Sequence, residues 1–167
     1  MSIDTIAALN DCDDAAFVET LGDVYEHSPW VAERVIGERP FSSVDDLHEH
    51  MAEAVRNASE ERKLELLRAH PDLGEQTELT DASEKEQASA GLDELRPEQY
   101  ERFQELNEIY RDRFAFPFIM AVKGATPDEI QAAMEERIDN SEPTEFETAL
   151  DQVHEIARLR LEDRFGE

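Results

Sequence analysis

In the stretch ELLRAHPDLGEQ, residues 65–76, a run of Leu and Arg with helical character stops at His70, and Pro71 follows at once. The residue before a proline is pushed out of the helical region by a clash with the ring, so His70 is expected at the end of its helix. The negative end of the helix dipole favours a protonated imidazole there, which is the state a proton donor needs near neutral pH. A structural role is equally open, in which the ring bonds one of the terminal carbonyls. A second group lies in TDASEKEQ, residues 80–87. With Thr80 or Asp81 as cap, Ser83, Glu86 and Gln87 fall at i, i+3 and i+4 and share one helix face. That face carries a hydroxyl, a carboxylate and an amide. Alone it reads as a solvated face, and it acquires chemical meaning only from what stands opposite.

A third group is in the last helix. Phe146, Leu150, Val153 and Ala157 follow steps of four, three and four, one apolar stripe. The next steps land on Arg160 and Arg164, whereas Leu159 and Leu161 lie off the line. Arg160 therefore either snorkels from near the helix end or is a buried cation that needs an anion, fixed or supplied by a ligand. The fourth group is FAFPFIMAV, residues 114–122, nine uncharged residues in a chain that is 35% charged. The run is too short for a membrane span and is expected to be buried. Pro117 disfavours a regular helix through it, so some of its N–H groups need acceptors elsewhere. They either bond neighbouring carbonyls or line a site for an acceptor-rich ligand. The other histidines are weaker candidates. His48 and His50 are two apart and face different ways, and His27 and His154 have no clear partners in the sequence. There is no Gly-rich phosphate loop, no metal-ligand cluster and no nucleophile elbow.

The elements that must position these groups read as helices almost throughout. SPWVAERVIG offers Ser28 as cap, Pro29 at the first helical position and Gly37 near the stop. SSVDDLHEHMAEAVRNAS offers Ser43 as cap, with acids in the first turn. TPDEIQAAMEERI pairs Thr126 with Glu129 as a capping box, and TEFETALDQVHEIARLRLEDRF pairs Thr144 with Glu147. Further helices are predicted near residues 13–25, 60–69, 82–90 and 97–113. No run alternates as a strand would, and no hairpin turn is present. The expected class is all-α, one domain over residues 1–167, with about seven to nine helices.

Composition narrows the setting. The formal charge is −26, from 42 acidic and 16 basic residues, and the basic set is 13 Arg with 3 Lys. Apolar residues make up 40% of the chain and recur with helical period, which excludes a disordered acidic chain. The acids are spread along the sequence, which excludes an acidic tail. The remaining reading is a folded protein with an acidic, Lys-poor surface, suited to high salt, where screening shortens charge repulsion to about 3 Å at 1 M. Such a charge disfavours nucleic acid and anionic membrane as partners. The single cysteine, Cys12, cannot form an internal disulfide or a cysteine-rich metal site. The start, MSIDTIAALNDCDD, lacks the basic and apolar segments of a signal peptide. A soluble cytoplasmic protein is expected.

HPDLG, SEKEQ, LNEIYRDRFAFPFIMAVKG and an arginine in the last helix, taken in order, resemble the OHCU decarboxylase family. The similarity runs from FVETLGDVYEHSPWVAERV to HEIARLRLEDRF. That family acts on 2-oxo-4-hydroxy-4-carboxy-5-ureidoimidazoline in urate breakdown. The resemblance implies an all-α fold, often homodimeric, a small-molecule substrate, and no cofactor or metal. It implies His70 as proton donor and Glu86 as catalytic carboxylate. Pro71 matches a position that touches substrate through its backbone. Ser83, Glu84, Lys85 and Gln87 match the start of a substrate-binding helix. Phe118, Ile119, Met120, Ala121 and Val122 match a segment whose main chain binds the ureido and ring edge, and Arg160 matches the arginine of the final helix. Ala115 departs from the family's usual FGFPF, which matters if that position needs a positive φ. Two rival readings are a helical protein-binding module, with FAFPFIMAV as an exposed docking strip, and a related enzyme on another ureido compound.

Overall fold

The computed structural model describes residues 3–26, 28–70, 86, 88, 91–92 and 95–165. These residues are all-α, with eight α-helices: α1 (Ile6–Asp11), α2 (Asp14–Leu21), α3 (Trp30–Val35), α4 (Val44–Arg56), α5 (Glu60–Arg68), α6 (Pro97–Phe114), α7 (Pro127–Arg137) and α8 (Glu142–Phe165). No described helix is long and apolar enough to cross a membrane. The chain forms two compact units, one of Met1–Ala69 with His154–Glu167 and one of His70–Val153.

Several helix starts follow the predicted caps. Ser43 Oγ accepts the Asp46 N–H at 3.0 Å, and Thr126 with Glu129 forms a complete capping box with Pro127 in the first turn. Two starts differ. The last helix begins at Glu142 rather than after Thr144, and Ser141 stands before it, its carbonyl accepting the Glu145 N–H at 2.9 Å. Pro143 tolerates this because first-turn residues have no intrahelical acceptor for an N–H. Ser28 does not cap α3: the helix begins at Trp30 with Pro29 as its cap residue, and the Ser28 hydroxyl donates to the Glu26 carbonyl at 2.9 Å. The helix α1, absent from the predicted set, is short and is capped by Thr5, whose Oγ1 accepts the Ala8 N–H.

In the first unit, Leu9, Phe17, Leu21, Val31, Leu47, Met51, Val55, Leu66 and Leu67 are buried. His154, without a clear partner in the sequence, has two here. Tyr25 Oη and His154 Nδ1 lie 2.8 Å apart, and His48 Nε2 bonds the His154 carbonyl at 2.8 Å. Burial raises the Tyr25 phenol well above its ordinary range, against a smaller opposing pull from Arg56, so the phenol is the donor in this pair. Burial, with the nearby Arg56, His48 and Lys63, lowers His154 to about 4 from its ordinary 6.5. The neutral ring is therefore favoured in the folded state. This contribution is complete above pH 6.5 and is lost as the pH falls through 4. Wild type is expected to lose about 2–3 kcal/mol more than His154→Gln over that interval. Urea unfolding of both proteins at pH 7 and pH 4, at constant salt, measures the difference.

In the second unit the core is aromatic. Tyr110 has its ring centroid 4.6 Å from that of Phe114, 5.8 Å from Phe116 and 5.4 Å from Phe118. Leu106, Ile130, Met134, Ala149 and Val153 are buried in the same unit. Helix α6 ends in a left-handed residue, Ala115 at φ 66° and ψ 19°, whose N–H bonds the Arg111 carbonyl at 2.8 Å. The FGFPF departure thus falls at a position that does take a positive φ. An alanine adopts it at a cost of about 1 kcal/mol, and the chain then turns into the strip at 116–122.

Candidate active site

Helix α5 delivers His70. Ser59 Oγ accepts the Arg62 N–H at 3.1 Å and starts the helix. Leu66 and Leu67 are buried on it, and the Ala69 N–H closes it onto the Glu65 and Leu66 carbonyls. His70 is the second residue beyond Arg68, in a bend, and is only 7% exposed. This is the helix-end placement that the adjoining proline predicts. Glu86 is helical and half-buried. Pro71, Ser83, Glu84, Lys85 and Gln87 lie outside the described residues, as does most of the helix predicted near 82–90.

The strip is buried at Phe116, Pro117, Phe118, Ile119 and Val122 and half-buried at Met120 and Ala121. It has no helical hydrogen bonding from Pro117 to Val122, as Pro117 implies. Its main chain has found partners. The Ile119 carbonyl accepts from Arg137 Nη1 at 2.7 Å, and the Ala121 N–H donates to Gln152 Oε1 at 2.9 Å. Arg137 also lies over the Phe118 ring, 4.4 Å from its centroid. A docking strip would be an exposed apolar patch, and the burial of these side chains counts against that reading.

Arg137 is in turn fixed by Glu145, which is 0% exposed. Arg137 Nε and Nη2 donate to its carboxylate at 3.0 and 2.9 Å, Asn140 Nδ2 donates at 2.9 Å, and the Tyr110 hydroxyl also donates to it. Burial alone would raise the Glu145 carboxyl. The bonds from Arg137, Tyr110 and Asn140 outweigh that and hold it below the usual carboxylate range. An ionised carboxylate bonded by three side chains thus holds the arginine that reaches the strip. Glu145, Ala149 and Val153 are spaced by four in the sequence, so helical period alone places Glu145 beside the apolar stripe. Its partners have no such signal, because they come from other elements.

Arg160 is buried, which overturns the snorkelling alternative. Its Nη2 donates to Glu26 Oε1 at 2.8 Å, and its Nη1 donates to the Asp23 carbonyl at 3.1 Å. Glu26 is itself 1% exposed, so the cation is balanced by a fixed carboxylate. One helical turn on, Arg164 donates to the Thr20 carbonyl at 2.6 Å and to Asp23 at 2.8 Å. The two arginines at the end of the stripe thus hold the segment after α2. His70, Glu86 and residues 118–122 belong to the second unit, and Arg160 belongs to the first. A surface depression of about 430 Å³ beside α3 and α4, lined by Arg34, Glu38, His50 and Glu53 among others, contains none of the candidate residues.

The model of the OHCU decarboxylase family matches residues 10–162. The chain belongs to this family. Among relatives, the 2-oxo-4-hydroxy-4-carboxy-5-ureidoimidazoline decarboxylase of Haloferax volcanii is 64% identical over 162 residues, covering 97% of this chain and 96% of that one. The protein of the same name from Halalkalicoccus jeotgali is 60% identical over 159 residues, covering 95% and 90%. A crystal structure of (S)-allantoin synthase superposes with a TM-score of 0.80 at 35% identity, covering 96% of this chain and 54% of that one. This OHCU decarboxylase family chain therefore spans about half the length of that synthase.

Proposed function

We propose that this protein is a carboxy-lyase that converts 2-oxo-4-hydroxy-4-carboxy-5-ureidoimidazoline to (S)-allantoin in urate breakdown, as one OHCU decarboxylase domain over residues 1–167. The observation that carries the proposal is the near end-to-end likeness to the Haloferax volcanii decarboxylase. The substrate's structure explains why the chemistry needs no more than orientation and proton transfer. Its carboxylate sits on a carbon next to a C=N bond. When the C–C bond to the carboxylate breaks and CO₂ leaves, the electron pair has a sink within the ring. The ring nitrogen that receives the pair takes up a proton, the hydroxyl on the same carbon as the departed carboxylate gives up its own as that carbon becomes a carbonyl, and the carbon bearing the ureido group gains a proton, so one proton in all is drawn from solvent for each CO₂ released. Delivery from one face sets the product's handedness.

In this reading Glu86 and His70 form a hydrogen-bonded pair at the hydroxyl and carboxylate end of the substrate, and the pair moves the proton, with His70 as its donor. The burial of His70 at a helix end supports that role for it. Main-chain groups of Phe118, Ile119, Met120, Ala121 and Val122, with Gln87, hold the ureido and ring edge. Pro71, Ser83, Glu84 and Lys85 complete the substrate-binding set, and Arg160, whose guanidinium also holds the Glu26 carboxylate, is the remaining residue that the family resemblance assigns to it. The acidic, Lys-poor composition supports work at high salt in the cytoplasm, and the protein acts as a homodimer. The test is the loss of freshly generated substrate at high salt, with and without protein, beside other ureido compounds. Faster loss of this substrate than its spontaneous decay is expected. Loss at the spontaneous rate, or preference for another ureido compound, contradicts the proposal.

A further inference from the structure

Arg137 and Gln152 reach the same three-residue piece of the strip from two helices. Arg137 comes from α7 and takes the Ile119 carbonyl. Gln152 comes from α8 and takes the Ala121 N–H. These two groups lie on the two peptide planes that flank Met120. Both planes are trans, and in a planar trans peptide the C=O and N–H point in opposite directions. Pinning the Ile119 carbonyl on Arg137 therefore turns the Met120 N–H away from Arg137. Pinning the Ala121 N–H on Gln152 likewise turns the Met120 carbonyl away from Gln152. One residue is left with a donor and an acceptor whose directions are set by two side chains that need not touch a ligand. A ureido group or cyclic amide offers the complementary acceptor and donor.

The pins are themselves stiff. The Arg137 side chain is 12% exposed and lies against the Phe118 ring. Its planar fork is taken on one edge by the Glu145 carboxylate, so its Nη1 is aimed at Ile119 without further freedom. We propose that Arg137, locked by Glu145, and Gln152 are positioning residues that orient the Met120 peptide groups toward the ureido and ring edge of the substrate. This rests on the function proposed above and adds to it the residues that hold the binding segment in shape.

The test compares Gln152→Met, Gln152→Glu and Arg137→Lys with wild type, on freshly generated substrate, with kcat, KM and melting temperature measured for each. Contacts made equally in ground and transition states appear in KM rather than kcat. Gln152→Met is expected to raise KM about tenfold with kcat within about twofold, since the Ala121 N–H loses its acceptor. Gln152→Glu keeps an acceptor oxygen and is expected to restore KM to within about twofold of wild type. Arg137→Lys has one point donor for two acceptors and is expected to raise KM as well. If that variant melts below the assay temperature, the Gln152 pair decides. A purely structural role would lower melting temperature and leave KM unmoved. KM within twofold of wild type in Gln152→Met, with wild type active and His70→Ala inactive, overturns the inference alone. A wild type without activity on this substrate overturns the functional reading and the inference together.

Discussion

His70→Ala is expected to lower kcat by about 10²–10⁴, the usual range for losing a general acid or base, while leaving the melting temperature within a few degrees of wild type. The imidazole stands just past the last turn of α5, which Ser59 caps at its start and the Ala69 N–H closes at its end. Losing a buried ring at one site removes little apolar contact compared with the leucines that anchor the same helix. The effect should therefore fall on chemistry more than on folding. Glu86→Ala is expected to fall in the same range, since the proposed pair shares one proton transfer, and the double variant should cost little more than either alone. Undiminished turnover in both single variants removes them from the mechanism. Equal losses in activity and in folded fraction would instead assign His70 a structural role.

The second large effect is on stability. Glu145→Ala is expected to destabilise the protein by about 3–5 kcal/mol, because it leaves the Arg137 cation and the Tyr110 hydroxyl without the carboxylate they bond. Replacing both partners by apolar residues, as in Arg137→Met with Glu145→Leu, is expected to recover about half of that loss. The same carboxyl is held below the ordinary range in the fold, so it contributes stability above its unfolded value that is lost as pH falls through the folded one. Urea midpoints for the single and double variants at neutral pH and constant high salt measure the coupling. Salt screens a buried pair much less than it does exposed ones such as Arg56 with Glu49. A loss below about 1 kcal/mol in Glu145→Ala would mean that the network adds little.

Much of the fold is legible in the sequence because it depends on neighbours in the chain. Ser43 and Thr126 cap their helices as their spacing to Asp46 and Glu129 implies. The stripe in α8 carries Arg160 inward because period alone sets its direction. Local signals mislead at two starts. The Thr144–Glu147 box predicts a start after Thr144, whereas the helix begins at Glu142, because a proline fits a first turn. Ser28 before Pro29 predicts a cap, whereas the cap residue is Pro29 itself and the Ser28 hydroxyl turns back to Glu26.

The site is less legible, because its partners come from distant parts of the chain. Sequence singles out FAFPFIMAV through its lack of charge and its proline, and leaves open whether its amides bond protein or ligand. The structure gives part of the answer: the Ala121 N–H is taken by Gln152 and the Ile119 carbonyl by Arg137. Neither partner is marked by motif or spacing. Likewise Glu26, which balances Arg160, sits in an irregular segment 134 residues away from it in sequence. His154 has no partner legible in the sequence because Tyr25 and His48 reach it only after folding.

The most direct measurement is the handedness of the allantoin that forms. Substrate is generated in situ at high salt, and the product is followed by circular dichroism with and without the protein. A steady signal of (S)-allantoin in the presence of protein, appearing ahead of spontaneous decay and absent with His70→Ala, is the expected result. Racemic allantoin formed at the spontaneous rate in the presence of folded protein would contradict the assignment of one-sided proton delivery to this fold.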